Sequence, residues 1–192
     1  MRLPEYSVGR RPSQRIALRI TRGLGAELDD VAKCAMRRPD SFGRPFLALV
    51  RSALRGSATW SAGELELFGA VVSQANACDF CVGMHGEIAA AALGARFGDW
   101  RDGRFGPRAT AAAEFVDALT RETVDAGHVD QARDEGVDDA ALAEAAYVAF
   151  VFNTINRVAN ALDFGYRSDA DRVRGARILQ RSGYRLPGIL LR

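Results

Sequence analysis

Apolar residues recur every three or four positions along most of this chain, the period of helices with one buried face. Ile16, Ile20, Leu24, Leu28 and Val31 predict a helix from Ser13 to about Arg38. Pro39 ends it, because a residue before proline avoids the α region. Residues 1–13, with Pro4, Gly9 and Pro12, read as an irregular arm. A second helix runs from about Pro45 to Leu54 and stops near Gly56. Ser61 with Glu64 three residues on fits a capping box, and Trp60 before it fits a hydrophobic staple. That helix carries Leu65, Phe68 and Val72 to about Gln74, and the next covers Cys78 to Leu93 and ends at Gly94. Residues 95–107 read as a loop rich in glycine and arginine. Pro107 suits the first position of a helix to about Ala126, and a short helix spans His128 to Glu135. Asp138 opens a long helix to about Phe164, with Leu142, Ala145, Val148, Phe152, Ile155, Ala159 and Leu162 as its stripe. A last helix covers Asp169 to Arg181. No convincing hairpin or alternating β-branched run occurs, so the predicted class is all-α.

Composition narrows the function classes. A chain of 192 residues, 48% apolar and 26% charged, suits a single soluble domain spanning 1–192. The net charge of +2 is small for a nucleic-acid binder, so no nucleic-acid partner is expected. No uncharged apolar stretch reaches about 18 residues, so no membrane partner is expected either. The basic N-terminus has no apolar segment behind it, and 3 cysteines are too few for a secreted disulfide framework. The expected location is cytoplasmic, where a thiol pair is more often redox-active or metal-binding than structural.

The chemical signal is Cys78-x-x-Cys81-x-x-x-His85, which places three functional side chains on one helical face. An imidazole one turn from Cys81 can take the thiol proton, and the helix start adds positive potential at both cysteines. Glu66 lies twelve residues before Cys78, which on one straight helix is about 18 Å away. A fold-back near Asn76-Ala77 changes that. It sets Glu66 beside His85, where the carboxylate holds the ring tautomer while the other nitrogen serves the sulfurs.

Glu66, Cys78-x-x-Cys81 and His85, with the text SQANACDFCVGMHGEIAAAALG, resemble the active-site pattern of the AhpD-like superfamily of alkylhydroperoxidases and carboxymuconolactone decarboxylases. The stretch VFNTINRVANALDF, Val151 to Phe164, is similar to the Asn-x-x-Asn-Arg helix of its peroxidase-related branch. The likeness covers residues 61–164. It implies an AhpD-like helical bundle whose antiparallel helix pair carries the CxxC site, assembled as a homo-oligomer, trimer-based or dimeric. It implies reduction of a hydroperoxide substrate, with a thiol or dithiol reductant closing the cycle and neither cofactor nor metal. In that scheme Cys81 attacks the peroxide, Cys78 resolves the sulfenic acid, and Glu66 and His85 move the proton. One position departs from the pattern. Phe80 stands where the best-studied peroxidases of this type carry a second histidine.

Other readings stay open beside this one. The same four residues could form a buried structural cluster, or a zinc site of two thiolates, an imidazole and a carboxylate. The protein could be a non-enzymatic redox sensor or oligomeric helical module, or a decarboxylase-like enzyme. Cys34 reads as a small core residue and His128 as a surface residue. Asn153, Asn156, Arg157 and Asn160 share one polar helix face, which predicts an inter-helix or subunit network ahead of a substrate pocket. Residues 96–104 read as a solvated turn, with an anion-binding patch as the alternative.

Overall fold

A computed structural model describes residues 1–2, 9, 11–23, 28–185 and 188–191. Its helices are α1 (Pro12–Gly23), α2 (Asp30–Arg37), α3 (Arg44–Arg55), α4 (Ala62–Ala75), α5 (Asp79–Leu93), α6 (Pro107–Thr120), α7 (Ala126–Asp134), α8 (Asp139–Leu162) and α9 (Asp169–Ser182). A π-helical turn covers Pro39–Gly43, and short 3-10 helices cover Phe97–Asp102 and Gly188–Leu191. Among the described residues there is no strand, as the all-α expectation required. No described helix is long and apolar enough to cross a membrane.

The chain divides into two compact units, Met1–Arg51 with Ala159–Arg192, and Ser52–Val158. In the first unit the expected helix over 13–38 is two helices. Asp29 in an extended conformation caps α2 by accepting from the Ala32 N–H, a start signal inside the expected run. Leu24, Gly25 and most of the arm lie outside the described residues. The apolar stripe is also corrected: Ile16 and Ile20 are more than half exposed, at 57% and 56%. The inward face of α1 is set by Gln14, whose Nε2 donates to the Met36 and Leu190 carbonyls, and by Leu18 packed with Met36 and Leu190. Cys34 is buried, as expected. Burial first, then the Asp30 and Asp29 charges, push its pKa up to about 12, so it stays a protonated thiol.

The second unit is built around α4. Its residues from Leu65 to Ser73 are all buried, which is what an apolar helix surrounded on every side looks like. Ser61 and Glu64 form the predicted capping box. α5 returns antiparallel to α4. Gly63, at the start of α4, lies so close to Ala92 and Leu93, at the end of α5, that an added Cβ would stand 2.9 Å from each. The reversal takes only Asn76, Ala77 and Cys78, with Ala77 in the left-handed region at φ 49. α6 stops at Thr120, short of the expected Ala126, and Glu122 just beyond it has φ 60. The expected solvated turn at 96–104 is instead anchored. Trp100 is buried and its indole N–H donates to Gln74 Oε1 at 3.1 Å. Among the described atoms, His128 pairs with Asp125 at the start of α7.

Candidate active site

Glu66 is the anomaly in α4, a fully buried carboxylate in an otherwise uncharged buried run from Leu65 to Ser73. A buried charge needs partners. It has two strong ones, one on each oxygen. Oε2 meets His85 Nδ1 at 2.7 Å, and Oε1 accepts from Arg55 Nη2 at 2.7 Å. Burial by itself raises the Glu66 pKa. The His85 hydrogen bond and charge, followed by those of Arg55, outweigh it and hold the group below the ordinary carboxylate value. Glu66 is therefore ionised and accepts only, so the proton between it and the ring sits on His85 Nδ1.

The fold-back makes this contact possible. Glu66 and His85 are 19 residues apart, yet they face each other across the α4–α5 pair. Phe152 from α8 packs edge-on against the His85 ring, with centroids 4.6 Å apart and planes at 82°. Gly69 leaves room for that phenyl ring, since any Cβ there would overlap Phe152.

Cys78 and Cys81 are unbonded thiols, 1% and 2% exposed. Cys78 occupies the N-cap of α5 and makes no regular capping hydrogen bond. Hydrogen bonding from the Cys81 side chain, then from its backbone N–H and from the Asn156 side chain, favours the Cys78 thiolate. Together these contacts outweigh burial and the opposing charge of Asp79, and bring the Cys78 pKa down to about 7. Cys78, the residue the resemblance casts as resolving, thus has a stabilised thiolate.

The structure brings the four expected residues together as two couples, Glu66 with His85 and Cys78 with Cys81, with Cys81 and His85 one turn apart on α5. No group of three or more His, Cys, Asp or Glu side chains that could hold a metal ion occurs among the described residues. The polar face of α8 is an inter-helix network. Asn76 Nδ2 donates to Asn153 Oδ1 at 3.0 Å and to Asn156 Oδ1 at 3.1 Å, while Asn156 Nδ2 donates to Ser73 Oγ at 3.1 Å. Asn160 and Arg157 are exposed instead.

Sequence reasoning missed Arg55. Its signal was available: a carboxylate inside an apolar helix needs a cation, and Arg55 ends the helix just before the Ser61 cap. The 57–60 link is itself held by Glu144, which accepts from Ser57 Oγ and Thr59 Oγ1, both at 2.5 Å.

No family model and no curated protein matches this chain. Solved structures do. An uncharacterised peroxidase-related protein from Silicibacter sp. TM1040 superposes with a TM-score of 0.65 at 20% identity, over 84% of this chain and 88% of its own. An alkylhydroperoxidase AhpD core, an uncharacterised peroxidase-related protein from Ralstonia eutropha JMP134, gives 0.66 at 22% identity over 87% and 90%. The debrominase Bmp8 in its apo form gives 0.63 at 18% identity over 86% and 92%. At such identities the likeness speaks for the backbone and not for the chemistry. The chain has the all-helical fold of the AhpD-like, peroxidase-related proteins.

Proposed function

We propose that the protein is a thiol-dependent peroxidase that reduces organic hydroperoxides through a Cys78–Cys81 dithiol/disulfide cycle. The observation that carries the reading is a buried thiol pair, one sulfur of which ionises near pH 7, on the helix whose imidazole is held by an ionised carboxylate. The debrominase among the structural neighbours means that the fold alone does not choose the reaction; the site must.

In the cycle a thiolate attacks the distal peroxide oxygen. The O–O bond breaks, the sulfur gives up two electrons and becomes a sulfenic acid, and the alkoxide takes a proton and leaves as the alcohol. The second cysteine attacks the sulfenic sulfur. The S–S bond forms and the oxygen departs as water. A dithiol reductant then returns two electrons and is itself released as a disulfide. His85, with its Nδ1 proton committed to Glu66, exchanges protons through Nε2. Glu66 orients that ring and keeps its charge throughout.

The resemblance makes Cys81 the attacking sulfur. A second reading, in which Cys78 attacks, is favoured by the donors gathered on Cys78. Consumption of an organic hydroperoxide in the presence of a dithiol tests the reaction. Cys78→Ser and Cys81→Ser should each abolish turnover, and full rate in either variant refutes the cycle. Trapping the sulfenic acid in the two variants separates the readings, because the sulfur labelled faster is the one that attacks. Oxidation of both cysteines without turnover would favour a redox sensor, and activity independent of them a decarboxylase-like enzyme. A homo-oligomer belongs to the proposal, and sedimentation measures it.

A further inference from the structure

The outward face of α8 carries Ala143, Tyr147, Phe150, Thr154 and Arg157. Tyr147 is half-buried and the other four are exposed. Phe150, at 59%, is the most exposed large hydrophobic side chain among the described residues. The steps between the five positions are four, three, four and three, the spacing of a coiled-coil seam that runs straight along one side of a helix. Phe152 points the opposite way, against His85.

The groups on this seam are held ready. The Tyr147 and Phe150 rings lie nearly parallel, with planes at 11° and centroids 6.3 Å apart. The Thr154 hydroxyl donates to the Phe150 carbonyl at 3.0 Å, so its hydrogen needs no partner across the seam. Arg157 Nη1 donates to the Asn153 carbonyl at 2.7 Å, which draws the guanidinium back along the helix.

The order of these groups selects what the face can meet. Positions 147 and 157 stand five residues either side of Phe152, and positions 150 and 154 stand two either side. Such a seam is complementary to itself when two copies run antiparallel. Tyr147 then faces the partner's Arg157, a ring against a guanidinium, and Phe150 faces the partner's Thr154. Two copies run parallel would set Arg157 on Arg157, like charges in contact. Antiparallel helices also oppose their dipoles.

We propose that two copies of this chain meet on this face: α8 packs antiparallel on α8 across a two-fold axis beside Phe152, with Tyr147 of each copy against Arg157 of the other. A contact of this kind closes on itself, so it gives a dimer, or pairs of subunits within a larger even-numbered assembly. The inference rests on the homo-oligomer of the proposed function and names its surface; it does not rest on the dithiol chemistry. The seam lies behind Phe152, so the pairing braces the helix that walls His85.

Sedimentation velocity of the full-length protein over a concentration series tests the pairing. Tyr147→Arg sets two guanidinium groups face to face and should weaken association by about tenfold or more. Arg157→Asp removes both cation–ring contacts of the dimer and should weaken it about tenfold. In the double variant Tyr147→Arg/Arg157→Asp each introduced guanidinium faces an introduced carboxylate of the partner, and association should return to within about threefold of wild type. Ten residues apart on their own helix, about 15 Å, the two cannot pair within one chain. Phe150→Glu, close to the axis, should separate the copies as well, and it carries the test if a charge variant does not fold. Single variants that associate as the wild type does overturn the inference, and so does a folded double variant that stays dissociated. A wild-type chain that is monomeric throughout overturns both this inference and the proposed homo-oligomer. An oligomer that ignores every substitution overturns this inference alone. No peroxide enters the measurement, so hydroperoxide turnover is judged separately.

Discussion

Replacing Arg55 by methionine isolates what keeps Glu66 charged. Methionine keeps the length and much of the apolar stem but removes the hydrogen bond to Glu66 Oε1, now 2.7 Å. Removing one partner from a fully buried ion pair costs about 3–5 kcal/mol. Here the Arg55 side chain is 21% exposed, and His85 still holds the other carboxylate oxygen. The expected loss is therefore lower, about 2–3 kcal/mol, or a fall in Tm of roughly 5–10 °C for a chain of this size. The pH dependence carries the sharper information. The folded pKa of Glu66 lies below its unfolded value, so its ionisation contributes stability above the ordinary carboxylate pKa. That contribution is lost as pH falls through the folded pKa. Without Arg55 the opposing effect of burial weighs more, so the folded pKa rises and the acid-side loss of stability shrinks. Urea unfolding of both proteins between about pH 3 and pH 8 measures both effects. A variant within about 0.5 kcal/mol of wild type at pH 7, with an unchanged acid limb, would refute the claim that Arg55 holds the Glu66 charge.

Other outcomes follow from the same geometry. Thiolate absorbance against pH should show one cysteine titrating near pH 7, lost in Cys78→Ser, while Cys34 stays protonated throughout that range; a lowest thiol pKa near the ordinary 8.5 would contradict it. Gly69→Ala should cost about 1–3 kcal/mol in chemical denaturation, because the added Cβ overlaps Phe152, and should also slow turnover by displacing the ring that packs on His85. Glu66→Gln should slow peroxide reduction at neutral pH more than at high pH, where thiolate forms unaided; an equal loss at both marks Glu66 as structural.

The sequence made some features plain and left others hidden. The Ser61/Glu64 box, Pro107, Gly94 and the stripe on α8 are local signals, in which the residues that define an element also form it, and they placed the helix ends they mark within a residue or two. The Glu66–His85 contact was legible because a short break between two apolar helices forces them antiparallel. The need for a cation at Glu66 was legible too, but the contact with Arg55 was not, since the loop that returns Arg55 to α4 is fixed by Glu144, more than eighty residues away. The face of α1 was misread because Ile16 and Ile20 fit a helical stripe as well as Leu18 does, and a buried glutamine decides between them. The lowered pKa of Cys78 depends on hydrogen bonding from Cys81 and from α8, a tertiary arrangement that spacing within CxxC cannot report.

The central claim is that Cys78 and Cys81 act as one two-electron unit. A single-turnover titration reads it directly: the fully reduced protein, freed of external thiol, receives one equivalent of an organic hydroperoxide. The account predicts one alcohol formed per chain and a Cys78–Cys81 disulfide in the peptide map, with Cys34 still reduced. Unreacted hydroperoxide beside an intact dithiol would contradict it.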